Sequence, residues 1–66
     1  MSKEHAIFIK TLREERGFSQ QAVADKLNIA RTSYLAIEQG KRELTLSEAQ
    51  IFADMFGILM EDIGTG

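Results

Sequence analysis

SQQAVADKLNIARTSYLAIEQG, residues 19–40, is the stretch whose reading decides the fold. It opens on Ser19, a hydroxyl residue of the kind that caps helix N-termini. In the residues that follow, Val23, Ala24 and Leu27 recur at three- and four-residue spacing, the period of one helix face. Asn28 takes positive φ more readily than most residues, so Asn28-Ile29-Ala30 can form a tight turn. A second helix is expected from Arg31 to Glu38, with Tyr34 and Ile37 on one face and Gly40 ending it. Ala24 sits where the two helices would cross. A side chain this small lets the second helix lie close across the first, and Val23, Ile29 and Ile37 can fill the wedge between them.

Working outward, glycine is the only strong punctuation in a chain without Pro, and every segment between glycines reads as helix. Before residue 19, Ala6, Ile9 and Leu12 form a stripe widened by Phe8, and Gly17 suits a left-handed stop. After residue 40, Thr45-Leu46-Ser47-Glu48 has the capping-box form. Ala49, Phe52, Ala53 and Phe56 then fall at helical spacing up to Gly57. The expectation is an all-α single domain over 1–66, a compact bundle of five short helices at about 3–16, 19–27, 31–38, 46–56 and 60–63. Two short helices joined by a three- or four-residue turn are the helix-turn-helix layout, but an ordinary helical hairpin has the same spacing, and periodicity does not separate them.

The residues themselves go further. In order, the chain supplies Arg13, Gly17-Phe18-Ser19-Gln20, Ala24, Ile37-Glu38-Gln39-Gly40 and Lys41-Arg42. This series resembles the phage repressor/Cro, or XRE-like, helix-turn-helix family. That family carries an Arg in its first helix, a Gly-hydrophobic-[Ser/Thr]-Gln step, a small residue inside helix two, a hydrophobic-Glu-x-Gly close to helix three, and then a basic loop. The later AQIFADMFGILMEDI resembles the family's fourth and fifth helices, so the likeness covers about residues 6–63.

The resemblance implies a sequence-specific regulator of transcription that reads double-stranded DNA with helix 31–38 in the major groove, its N-terminal end toward the bases. Arg31 would then make two hydrogen bonds to guanine O6 and N7, Thr32 would hydrogen-bond a base or touch a thymine methyl, and Ala36 would meet thymine methyls. Gln20, Ser33, Gln39, Lys41 and Arg42 would contact the DNA backbone, Gln20 beside the free N–H groups of its helix. Arg13 and Glu38 would form a structural salt bridge tying helix one to helix three. The chain departs from the family at Ala30, where Ser or Thr usually caps helix three. Losing such a cap costs about 1 kcal/mol. Leu59 likewise stands where a cap for helix five is common.

The net charge of −2 runs against the basic character of many nucleic-acid binders, but its distribution does not. Residues 1–42 hold all eight Lys and Arg against five acids, and residues 43–66 hold five acids and no base. Such polarity can turn one end to phosphate and the other away from it. The resemblance implies a homodimer on a palindromic operator. The apolar residues at the acidic end, Met55, Ile58, Leu59, Met60 and Ile63, are the expected interface, against the plainer reading that they close the core. Two other readings share the fold: the DNA-binding half of an antitoxin, whose tail would bind a toxin, and a protein-interaction module without DNA binding. Gly64-Thr65-Gly66 reads like the start of a flexible linker, leaving room for a further domain or partner protein after residue 66.

With no Cys and one His, neither a disulfide nor a thiolate or histidine metal cluster is expected, and no cofactor. No apolar run approaches the roughly 20 residues a membrane span needs, and the first ten residues are too mixed for a signal peptide. The expected setting is cytoplasmic, and the resemblance implies a bacterial or phage-encoded protein, nucleoid-associated when bound. An enzyme is not expected. His5 has no Ser or Cys partner in a recognisable arrangement, and the adjacent acids Glu14-Glu15 and Glu61-Asp62 point apart on a helix.

Overall fold

The structure, a computed structural model, describes residues 3–59, with side chains from residue 5 onward. It contains four helices: α1 (Lys3–Glu15), α2 (Gln20–Leu27), α3 (Arg31–Glu38) and α4 (Leu46–Phe56). There is no strand among the described residues. Four of the five expected helices are present, and the expected fifth, at 60–63, lies outside the described residues. Two boundaries differ by one residue. Arg16 belongs to a turn, and Ser19 stands outside α2 as its cap.

Local chemistry sets each start. Ser19 has extended backbone, and its hydroxyl accepts the Ala22 N–H at 3.0 Å. Thr45 accepts from the Glu48 N–H at 3.1 Å while Glu48 Oε1 accepts from the Thr45 N–H at 2.9 Å, so α4 starts on a closed capping box. Ala30 has the extended backbone of a cap but offers no side-chain bond, so α3 begins without one.

The stops share one geometry. At the end of α2, Asn28 is left-handed at φ 59°. Its N–H bonds to Asp25 O, and the Ile29 N–H reaches back to Ala24 O at 3.0 Å, a Schellman closure. At the end of α3, Gly40 has φ 76°. It donates to Ile37 O at 3.0 Å, and Lys41 donates to Ala36 O at 2.9 Å. The corresponding long-range donors after α1 and α4 are Phe18, to Arg13 O, and Ile58, to Ala53 O. In this motif the residue just past the left-handed position commonly packs back on the helix as an apolar contact. Phe18, Ile29 and Ile58 do so, packed partly buried against the core. Lys41 does not: the same position after α3 holds an exposed cation.

The core is built from all four helices: Ile9 and Leu12 of α1, Val23, Ala24 and Leu27 of α2, Tyr34 and Ile37 of α3, and Ala49, Phe52, Ala53 and Phe56 of α4. Ala24 is fully buried, as the close crossing of α2 and α3 requires. Phe18 meets Phe56 edge-on with ring centroids 5.3 Å apart, and Phe52 lies 4.6 Å from Phe56. Arg16 Nη1 donates to Phe56 O at 3.1 Å and so places a cation on the C-terminal end of α4. The second helix of the pair, α3, packs against both α2 and α1.

Candidate nucleic-acid interface

Two fully buried side chains, Tyr34 and Ile37, pin α3 to the core. They face inward one turn apart, so the opposite edge of α3 is turned outward. Arg31 and Thr32, at the free N-terminal end, are exposed. Ser33, Leu35 and Ala36 are half-buried along the flank. Past the end of α3, Gln39 and Lys41 are exposed and Arg42 is half-buried. The three residues expected at the bases therefore lie on one short helix, and the expected loop cations follow it.

Beneath this surface lies a polar network centred on Glu38, whose side chain is 3% exposed. Arg13 of α1 donates its Nε to Glu38 Oε2 at 2.6 Å and its Nη2 to Oε1 at 3.4 Å. The Tyr34 hydroxyl donates to the same carboxylate, and so does Gln20 Nε2, to Oε1 at 3.3 Å. Arg13 Nη1 also donates to Phe18 O at 2.8 Å, which ties in the turn before α2. Burial alone pushes the Glu38 carboxyl up, but the donors from Arg13, Tyr34 and Gln20 outweigh it and hold the group below its usual range. Hydrogen bonding to Glu38 raises Arg13. Tyr34 is raised first by burial and then by its bond to Glu38, so it stays a neutral donor. No buried side-chain polar atom among the described residues is left without a partner.

The network reaches the outer surface through Gln20. Its Nε2 faces Glu38, and its Oε1 accepts from Arg31 Nη2 at 3.0 Å. The resemblance implies a DNA-backbone contact for Gln20. The structure engages both ends of the amide inside the protein, leaving one N–H of Nε2 for an outside acceptor.

Arg42 is also engaged within the protein. Its guanidinium makes a two-pronged pair with Glu48, Nη1 to Oε1 at 3.0 Å and Nη2 to Oε2 at 2.8 Å, with a longer bond to Glu43 O at 3.4 Å. Glu48 thus serves as capping-box acid and as ion-pair partner, and Arg42 holds it below the usual carboxylate range. The capping-box pattern by itself gives Glu48 a backbone partner alone. A six-residue spacing across an irregular loop obeys no helical rule, so nothing in the pattern marked the pair. The spare oxygen of a capping carboxylate beside a loop arginine was the available signal.

Among the described residues, no group of three or more His, Cys, Asp or Glu is placed to hold a metal, and no helix is long and apolar enough to cross a membrane. The helix-turn-helix family pattern matches residues 9–63. An uncharacterized HTH-type transcriptional regulator of Methanocaldococcus jannaschii is 36% identical over 55 residues, covering 83% of each chain. The same α2–turn–α3 geometry, the ordered motif residues and the match over most of the length converge: the chain belongs to the XRE/Cro-like helix-turn-helix family.

Proposed function

We propose that this protein is a sequence-specific double-stranded DNA-binding transcriptional regulator, of repressor or controller type, that places α3 in the major groove. One observation carries the reading: Arg31 and Thr32 stand exposed at the free end of a helix whose other face is locked in the core by Tyr34 and Ile37. A rigid helix with a polar, forked donor at its tip is what base-edge recognition requires. In this reading Arg31, Thr32 and Ala36 meet base edges. Gln39, Lys41, Ser33 and the remaining amide N–H of Gln20 meet the backbone. The likeness to the Methanocaldococcus protein, named as a transcriptional regulator, supports the same assignment.

The working unit is a homodimer on a palindromic operator, with half-sites about one helical turn apart. Of the apolar residues expected at its interface, Met55 and Ile58 pack partly buried against this chain's own core, and Leu59 is 63% exposed. Met60 and Ile63 lie outside the described residues. Sedimentation equilibrium with and without operator DNA tests the dimer, and a strict monomer in both removes it.

Selection of bound duplexes from random sequence is the experiment that tests the function. The expected consensus is palindromic, with a guanine opposite Arg31. Arg31→Ala should then lose about 1–3 kcal/mol and relax that one base position. If Arg31→Ala keeps both affinity and preference, the base-contact assignment is wrong.

A further inference from the structure

We infer that Arg42, although adjacent to Lys41, is a positioning residue for the DNA-facing loop and makes no phosphate contact itself. The inference rests on the DNA-binding reading above and divides two neighbouring cations that sequence treats alike. Lys41 is exposed and makes no ion pair among the described residues. Arg42 spends both terminal nitrogens on Glu48, whose side chain is only 10% exposed.

The geometry fixes the loop from two sides. On the α3 side, Lys41 and Arg42 both donate their backbone N–H to Ala36 O, at 2.9 and 3.3 Å. On the α4 side, the Arg42 fork crosses the loop to the third residue of α4, where the same carboxylate closes the capping box through Thr45. Gln39 and Lys41 ride on the segment clamped between these anchors. Turning Arg42 out to a phosphate would leave the mostly buried Glu48 without its counter-charge, a costly state for a buried acid. A guanidinium already neutralised by a carboxylate also releases few counterions on approaching DNA. Arg42 acts through Glu48 on where Lys41 is held.

The test is binding of the full chain to a selected duplex and to an unrelated duplex, measured across salt for wild type, Lys41→Ala, Arg42→Ala, Glu48→Gln and the Arg42→Ala/Glu48→Gln pair. Gln at position 48 keeps the capping box, Arg42→Ala keeps Glu48, and circular dichroism confirms that each is folded at the assay temperature. Lys41→Ala should flatten the log–log salt slope by about 0.9. Arg42→Ala should weaken binding several-fold at every salt concentration with the slope unchanged. Glu48→Gln should weaken it by a similar factor even though it removes a negative charge, and the double variant should be no worse than either single. The inference is overturned if Arg42→Ala flattens the slope as Lys41→Ala does. It is equally overturned if Glu48→Gln binds as well as or better than wild type, or if both variants lose only thermal stability. Wild type that binds neither duplex overturns the DNA reading and this inference together, whereas the other failures overturn this inference alone.

Discussion

Arg31 Nη2 donates to Gln20 Oε1 at 3.0 Å, so the first residue of α3 is held by the first residue of α2. The orientation of that amide follows from chemistry. An ionised Glu38 can only accept, so Gln20 must turn its Nε2 inward and its Oε1 outward. An outward acceptor in turn favours a donor at position 31. The buried pair of Arg13 and Glu38 is thereby connected, through one amide, to the side chain that the DNA reading places at a guanine.

Gln20→Met should therefore cost base discrimination more than stability. Met fills the same space, and Glu38 keeps Arg13 and Tyr34, so the folding loss should be about 1 kcal/mol, the net worth of a hydrogen bond. Arg31 becomes free to sample other rotamers, and part of the roughly 1–3 kcal/mol of selectivity from a bidentate arginine is lost. Competition between the selected duplex and one altered at the base opposite Arg31 reads this directly. An unchanged ratio would show that Arg31 needs no support from α2.

Removing one partner of the Arg13–Glu38 pair leaves an unbalanced buried charge, which costs about 3–5 kcal/mol. In a chain of 66 residues with a small core, that is most of the available stability. Arg13→Met alone should be largely unfolded at room temperature by far-ultraviolet circular dichroism, as should Glu38→Leu alone, and Glu38→Gln, which keeps one acceptor oxygen for Arg13, should be milder. The double variant Arg13→Met/Glu38→Leu should unfold at higher urea than Arg13→Met alone. Additive losses across that cycle would argue against direct coupling.

Stability should form a plateau bounded by this network on both sides and by the Arg42–Glu48 pair on the acid side. Glu38 and Glu48 are held below their ordinary value of 4.5, so their contribution is complete above that pH and is lost as the pH falls through the folded values. Tyr34 is raised above its ordinary 10.0, first by burial, so its contribution is complete below that pH and is lost above it. Urea midpoints should be flat between those limits and fall outside them, with Glu48→Gln softening the acid side. Because Tyr34 is the single tyrosine, absorbance of its phenolate should rise only as the protein unfolds in alkali. Ionisation of Tyr34 in a still-helical protein would contradict its burial beside Glu38.

Most of the fold could be read from the chain because local rules and packing agree along it. Ser19, Thr45, Asn28 and Gly40 mark helix ends by backbone chemistry that acts within a few residues, and Val23, Ala24, Tyr34 and Ile37 mark faces by period. The polar network was only partly readable. The link from Gln20 to both Glu38 and Arg31, and the pair of Arg42 with Glu48, join residues 18, 11 and 6 positions apart. Such bonds depend on where side chains end in space, and no periodic rule encodes them. The Arg13–Glu38 bridge spans 25 positions and was approachable only through family resemblance.

The uncapped start of α3 gives the last prediction. Ala30 has φ −67° and ψ 150°, backbone that Ser adopts without strain, and it is exposed, so a hydroxyl there meets no steric obstacle from the core. Its carbonyl already receives the Tyr34 N–H at 3.0 Å, so the helix begins in register and lacks only a side-chain acceptor for the first-turn N–H groups. Ala30→Ser supplies that acceptor and should add about 1 kcal/mol. For a domain of this size, that raises the thermal midpoint by roughly 4–8 °C. The same hydroxyl would occupy N–H groups at the end of α3 that approaches DNA, so affinity for the selected duplex should stay level or fall while stability climbs. Scanning calorimetry of wild type and variant decides it. An unmoved midpoint would mean that water already satisfies those amides as well as serine can.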